Sequence, residues 1–169
     1  MKKYKIGFIG IGLMGAPMAK NLLKSKYQVK VFNRTMHKAV SLKKYGAKVC
    51  ATLSEVVSDQ DLLFTMLSDD KAINKIYYNA EFLKNLKKGS TVIDMSSANP
   101  KTALSLSKLL KKHKVSFLDA PVSGGTNGAE NAELAIMVGG EKKVFIKYLN
   151  VLKKLGNPVL VGQNSAGQI

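Results

Sequence analysis

One junction near the N-terminus, where a strand-like apolar run gives way to an amphipathic helix, constrains this chain more than any other feature. YKIGFIG reads as a short buried strand, and APMAKNLLKSK places Met18, Leu22 and Leu23 on one helical face. Between them stands Gly10-Ile11-Gly12-Leu13-Met14-Gly15, a GxGxxG. In a strand-to-helix turn of that spacing, Gly10 allows the tight turn, Gly12 leaves bare backbone for a ligand to approach, and Gly15 lets the helix pack on the strand. The helix beyond offers free N–H groups and the positive end of its dipole, which together favour the pyrophosphate of a dinucleotide.

The rest of the chain alternates in the same way. QVKVF reads as a strand, MHKAVSLKKY as a helix, AKVC as a strand, TLSEVVSD as a short helix, DLLFTML as a strand and DDKAINKIYYN as a helix. STVIDMS is a strand running into NPKTALSLSKLLKKH, a helix that Asn99 can cap and whose first turn suits Pro100. KVSFLDAPV reads as strand and loop, LAIMVGG as a strand, EKKVFIKYLNVLKKL as a helix and NPVLVG as the last strand. Such alternation over 169 residues predicts one α/β domain of Rossmann type, a doubly wound, mostly parallel sheet with helices on both faces. Sheets of this kind bind ligands outside the carboxyl ends of their strands, so the loops after the strands carry the chemistry.

The loop after the second strand holds Arg34, the one arginine among 27 basic side chains. In a dinucleotide fold that strand ends beside the adenine ribose, about 20 residues beyond the glycines, where an acidic residue would hold the 2′-hydroxyl of NAD. Here Phe32 is followed by Asn33, Arg34 and Thr35, and no acidic residue precedes Glu55. A planar fork of N–H donors suits a 2′-phosphate better than the point charge of a lysine. NADP(H) is therefore expected in preference to NAD(H).

Composition narrows the alternatives. The single cysteine, Cys50, forms no intramolecular disulfide and fits a reducing, cytoplasmic setting with its thiol buried. No apolar run approaches the ~20 residues that span a bilayer. Lysines followed by an apolar run outline a secretory signal, but Gly7, Gly10, Gly12 and Gly15 are poor helix formers inside such a segment. The net charge of +16 suggests a polyanion, yet the lysines are dispersed along the chain, many on helix faces, and no nucleic-acid partner is expected. No His, Cys and carboxylate group has metal-ligand spacing, and no Ser/His/Asp order stands out. His37 and His113 read as exposed, while Asp94 and Asp119 end strands and can cap turns.

The glycine loop, with Met18, Asn21, Leu22 and Asn33-Arg34-Thr35, resembles the start of the β-hydroxyacid dehydrogenases, which include 3-hydroxyisobutyrate dehydrogenase, tartronate semialdehyde reductase and glyoxylate/succinic semialdehyde reductases. DMSSANP, Asp94 to Pro100, is similar to that family's DxS(S/T)xxP segment, and DAPVSGGTNGAENAELAIMVGG, Asp119 to Gly140, to its substrate-loop signature. The likeness runs over essentially the whole chain. It implies that Gly10, Ile11, Gly12, Leu13, Met14, Gly15, Asn33, Arg34 and Thr35 bind the cofactor. Met66, Leu67 and Ser68 would line it near the nicotinamide ribose, and Ser97 would contact the nicotinamide side. Ser123, Gly124 and Gly125 would bind the carboxylate of a small substrate, a role for which two bare glycine N–H groups and a hydroxyl are chemically suited. Three positions depart from the family pattern: Ser68 where many relatives carry proline, and Ala132 and Ser165 where glycine is usual. Read without the family, Leu67 is a core residue, Ser68 a helix cap and Ser123-Gly124-Gly125 a flexible turn.

Hydride transfer to a carbonyl leaves an alkoxide that needs a proton. The resembled family supplies it from a lysine after a GxxGxG-like turn. GQNSAGQ, Gly162 to Gln168, is similar to that turn, and Ile169 is reached before such a lysine, so no residue here is assigned as catalytic. The resemblance thus implies an NADP-dependent oxidoreductase acting on the CH–OH group of a small β-hydroxy acid or the matching semialdehyde, with residues 1–169 as its cofactor domain. It implies further an all-helical second domain that makes the homo-oligomer contacts, and an isolated chain that binds NADPH and turns over nothing. Two other readings are a cofactor domain like that of 6-phosphogluconate dehydrogenase, which shares the glycine loop and Asn-Arg-Thr, and a non-catalytic nucleotide- or polyanion-binding module. DAPVSGG and LAIMVGG favour the first.

Overall fold

The computed structural model describes residues 3–169; Met1 and Lys2, the head of the signal-like outline, lie outside them. Among the described residues nine strands form one sheet. Six of them, β1 (Lys5–Ile9), β2 (Gln28–Phe32), β3 (Lys48–Val49), β4 (Leu62–Thr65), β5 (Thr91–Asp94) and β6 (Ser116–Asp119), pair in parallel in the order β3-β2-β1-β4-β5-β6. Beyond them β8 (Leu134–Gly139) runs antiparallel to β6 and to the short β7 (Val122–Ser123), and β9 (Gly156–Gly162) pairs in parallel with β8. The chain builds the doubly wound, mostly parallel sheet that its alternation predicts.

A strand covered on both faces cannot alternate polar with apolar residues, and β4 is such a strand: Leu62, Leu63, Phe64 and Thr65 are all buried. Its side chains divide between two cores. Leu62 and Phe64 join Ile6, Phe8, Val31 and Leu118 in a cluster with α1 (Gly15–Lys24) and α8 (Lys142–Leu152). Leu63 joins Val92 and Phe117 in a second cluster with α3 (Leu53–Val57), α4 (Asp70–Tyr77), α5 (Ala80–Asn85) and α6 (Pro100–Lys112). Asn99 caps α6 by accepting from the Lys101 N–H at 2.9 Å, with Pro100 in the first turn, as expected. No helix among the described residues is long and apolar enough to cross a membrane.

Three elements depart from the pattern read in the sequence. The single helix expected over MHKAVSLKKY is α2 (Met36–Val40) followed by a 3-10 turn at Lys43–Tyr45; the segment is anchored by Ala39 and Leu42, too short to gain much from a continuous helix, and Gly46 ends it at a φ of 93°. The helix α5 was not anticipated; Asn79 caps it by accepting from Glu81 and Phe82, and Phe82 is its one buried anchor, packed 5.2 Å from the Tyr77 ring. Nor was α7 (Gly125–Asn131), whose glycine-rich sequence reads as a loop. A buried amide fastens it: Asn21 of α1 donates to the Ala129 carbonyl at 2.8 Å.

At the far edge, register pairs Met137 with Val159. These side chains face away from Ile136 and Val138, which are buried, and Val159 and Val161 remain 59% and 47% exposed.

Ala132, which closes α7, and Ser165, which precedes a 3-10 turn at Ala166–Gln168, have φ of 58° and 81°. Both stand where the resembled family carries glycine, and a Cβ there disfavours the left-handed backbone. Ala132→Gly and Ser165→Gly should each raise stability by about 0.5–1 kcal/mol, the relief of that clash less the added freedom of the unfolded chain. A rise in the urea midpoint at unchanged slope is the expected reading.

Candidate functional site

From β1 the chain winds towards one edge of the sheet, and from β4 towards the other, so the loops after β1 and β4 part at the switch point where such sheets receive ligands. These loops pass in contact. A Cβ on Gly10, whose φ is 99°, would collide with the Met66 carbonyl oxygen, and one on Gly15 would collide with the Gly10 oxygen. Both glycines are therefore demanded by the chain's own packing. Gly12 is different: a Cβ there meets nothing within 4 Å. The start of α1 has no side-chain cap and no acidic residue in its first turn, which leaves its positive end open to an anion from outside.

The other loop residues divide their roles. Ile11 is buried, and its N–H donates to Asn33 Oδ1 at 2.9 Å, so it anchors the loop. Leu13 is 83% exposed and Met14 half-buried. The Asn33 amide also donates to the Thr35 carbonyl at 3.0 Å, which fixes the Arg34 turn against the glycine loop. Sequence reasoning placed Asn33 at the cofactor; its side chain is engaged in joining these two loops. Arg34 and Thr35 are exposed, and the Thr35 hydroxyl makes no capping bond to α2. None of the ion pairs among the described residues involves Arg34.

After β4 and β5 a buried polar chain sets the loops. Asp94 Oδ1 accepts from Thr65 Oγ1 (2.8 Å), Ser96 Oγ (2.6 Å) and the Ser96 N–H (3.1 Å). Tyr77 pairs with the Thr65 hydroxyl at 2.7 Å, and the Leu67 N–H donates to Ser96 Oγ at 2.8 Å. Asp94 Oδ2 has no hydrogen-bond partner among the described residues. Burial outweighs the donors and pushes Asp94 up to about 6, and burial likewise holds the Tyr77 phenol well above its ordinary range. Met66 and Leu67 are half-buried, Leu67 against the second core, whereas Ser68 and Ser97 are exposed. Ser68 does not cap α4: Asp69 does, accepting from Ala72 at 2.8 Å, and Ser68 donates to Asp69 at 3.0 Å. A carboxylate at that place also complements the helix dipole, which a hydroxyl does not.

Ser123, at the end of β7, and Gly124 and Gly125, with φ of 136° and 62°, are exposed at the start of α7, which Asn21 ties to α1. Asp119, at the end of β6, is buried and accepts from the N–H groups of Ser165 (2.7 Å) and Gly167 (2.9 Å). Burial raises its pKa against those donors. Sequence reasoning placed Asp94 and Asp119 at turns but gave no sign of their burial or of the loops they hold. Cys50 is buried as expected, and burial raises its thiol. His37 is exposed, and His113 closes α6 half-buried. Six lysines line two open hollows of about 460 and 490 Å³, Lys5, Lys30 and Lys48 in one and Lys20, Lys24 and Lys44 in the other, and neither is lined by a residue of the glycine loop.

Comparison with known proteins agrees with this geometry. The family model described as the NAD binding domain of 6-phosphogluconate dehydrogenase matches residues 5–162. 2-(Hydroxymethyl)glutarate dehydrogenase of Eubacterium barkeri is 38% identical over 98% of this chain and 56% of its own length. Mitochondrial 3-hydroxyisobutyrate dehydrogenase of Mus musculus is 37% identical over 98% and 50%. The solved structure of Mycobacterium tuberculosis 3-hydroxyisobutyrate dehydrogenase with L-serine superposes with a TM-score of 0.95 at 32% identity, covering 99% of this chain and 57% of that one. The chain thus spans about half the length of the curated relatives it matches.

Asp94 supplies a test of the buried network. Its folded value of about 6 lies above its ordinary 3.8, so the folded state holds the proton more tightly than the unfolded one. Burial of the carboxylate therefore lowers stability in full above about pH 6, and this is relieved as the pH falls towards about 4. Asp94→Asn keeps an oxygen for Thr65 and Ser96 and abolishes the titration. The stability of the variant minus that of the wild type should rise by up to about 3 kcal/mol between pH 4 and 7, measured by urea unfolding at each pH. A flat difference would mean that folding leaves the Asp94 carboxyl at its ordinary value.

Proposed function

The chain belongs to the β-hydroxyacid dehydrogenase family, through a domain of the 6-phosphogluconate dehydrogenase NAD-binding type, and on that premise we propose that residues 1–169 are the NADP(H)-binding domain of an oxidoreductase acting on a small β-hydroxy acid or semialdehyde. The observation that carries the reading is the contrast among the loop glycines. Gly10 and Gly15 are glycine because the fold has no room for more, but nothing in the chain requires it at Gly12. A bare position at an open helix start suits a pyrophosphate that must lie directly on the backbone.

Arg34, exposed beside that loop, would grip the 2′-phosphate with its fork of donors, and the first carboxylate of the chain, Glu55, is engaged with the Ala51 N–H at 2.8 Å. Met66, Leu67, Ser68 and Ser97 would border the nicotinamide half, which supplies or accepts the hydride when bound. Ser123, Gly124 and Gly125 would receive the substrate carboxylate, their donors exposed next to α1. The relatives are named for hydroxy acids, and one was solved with L-serine, which supports a small carboxylate-bearing substrate here. The proton for the alkoxide would come from a lysine beyond Gln168 in the full enzyme. The domain alone would bind cofactor without turnover, and subunit contacts would come from a helical domain of the longer, cytoplasmic protein.

Calorimetric titration with NADPH and NADH tests the reading. Arg34→Ala should weaken NADPH roughly ten- to a hundred-fold and leave NADH nearly unchanged, as expected for a lost charge-assisted bond. Preserved selectivity would remove Arg34 from the site. Gly12→Ala should weaken both cofactors at least about ten-fold while the urea midpoint stays where it was, since its Cβ meets only open space within the protein.

A further inference from the structure

We infer that Gln168 is a positioning residue whose side-chain amide sets the backbone at Ser97 and thereby the hold on the nicotinamide half of the cofactor. The inference rests on the cofactor-domain reading above and adds to it a role for Gln168, the last residue of the GQNSAGQ turn, to which the resemblance assigns no contact.

Past Met95, side chains from separate elements hold the loop after β5. The Ser96 N–H goes to Asp94 of β5, the Asn99 N–H to Asp70 of α4 at 3.1 Å, and the peptide groups on either side of Ser97 go to Gln168. Gln168 Oε1 accepts from the Ala98 N–H at 2.9 Å, and its Nε2 donates to the Ser96 carbonyl at 2.8 Å. One amide thus brackets Ser97 as a neighbouring strand would, with a donor and an acceptor used together. Ser97 is exposed between these bonds, and Ser96 is bonded on its far side to Leu67, in the loop after β4.

The amide can bracket this loop because its own base is fixed to the sheet. Asp119 takes the N–H groups of Ser165 and Gly167, and Asn164 bonds Ser107 of α6 (2.9 Å) and the Phe117 carbonyl (2.9 Å). Gly167 is buried, and a Cβ on it would lie 2.8 Å from Asp119 Oδ2. The 3-10 turn is therefore seated without help from the Ser97 loop, so loss of the amide frees that loop and leaves the turn in place.

Only an amide supplies both partners at neutral pH. A glutamate at 168 could accept from Ala98 but would set an oxygen against the Ser96 carbonyl, and protonation would restore the donor. The carboxylates bonded to this loop and turn, Asp94, Asp70 and Asp119, are shared by wild type and variant, so the difference between them reports position 168.

The test titrates wild type, Gln168→Ala and Gln168→Glu with NADPH and with adenosine 2′,5′-bisphosphate, which lacks the nicotinamide half. Gln168→Ala should weaken NADPH about ten-fold, the cost of ordering a freed residue of the loop on binding, and leave the bisphosphate within about two-fold. Gln168→Glu should match it at neutral pH and, titrated with NADP+, which survives acid, recover most of the loss relative to wild type only as the pH falls to about 4, below the ordinary glutamate value of about 4.3. NADPH affinity unchanged in Gln168→Ala, or an equal fall for both ligands, would overturn the inference and leave the domain reading standing. A wild type that binds neither ligand would overturn both.

Discussion

The turn after β1 can pass against the Met66 carbonyl only because residue 10 lacks a Cβ and takes a positive φ, and α1 can follow at once only because residue 15 lacks one too. This close passage brings the ends of β1 and β4 together and lets α1 lie across the sheet with Met18 and Leu22 in its core. It also leaves the residue between them, Gly12, on open ground. Two contacts that the fold must have thus produce one bare surface that the fold does not need.

Around that surface, polar side chains do most of the positioning. Asp94 and Asp119 are register partners at the ends of adjacent strands, and both are buried. Each holds a loop by its backbone, Ser96 in one case and Ser165 with Gly167 in the other. Burying two carboxylates side by side is unfavourable, as their raised pKa values indicate, and the arrangement is retained where loops of irregular backbone would otherwise lack partners. Gln168 then joins the two loops.

Much of this was legible in the sequence, for identifiable reasons. Strands such as LLFT and helices such as α6 declare themselves because many consecutive residues share the burden of burial. The helices α5 and α7 do not, since one rests on Phe82 and an asparagine cap and the other on a hydrogen bond from Asn21, 108 positions before its acceptor. The same limit applies at the site. Gly10, Gly12 and Gly15 were readable because a missing side chain has local consequences, and Arg34 because it is alone of its kind. The bonds from Ile11 to Asn33 and from Ala98 to Gln168 span 22 and 70 positions, and an amide carries no mark of where its partners lie. At α4 two adjacent residues could have capped the helix, and the carboxylate of Asp69 prevailed over the hydroxyl of Ser68.

The apolar strip along β9 has a colloidal consequence. Val159 and Val161 lie exposed on an outer strand, an arrangement that favours sticking between copies, while the chain carries a net charge of +16 that drives copies apart. Mutual repulsion has a range set by dissolved ions, about 10 Å at 0.1 M and about 3 Å at 1 M, whereas hydrophobic attraction persists in salt. Solutions of this protein should therefore be most monodisperse at low ionic strength and turn cloudy as salt is added, the reverse of ordinary salting-in.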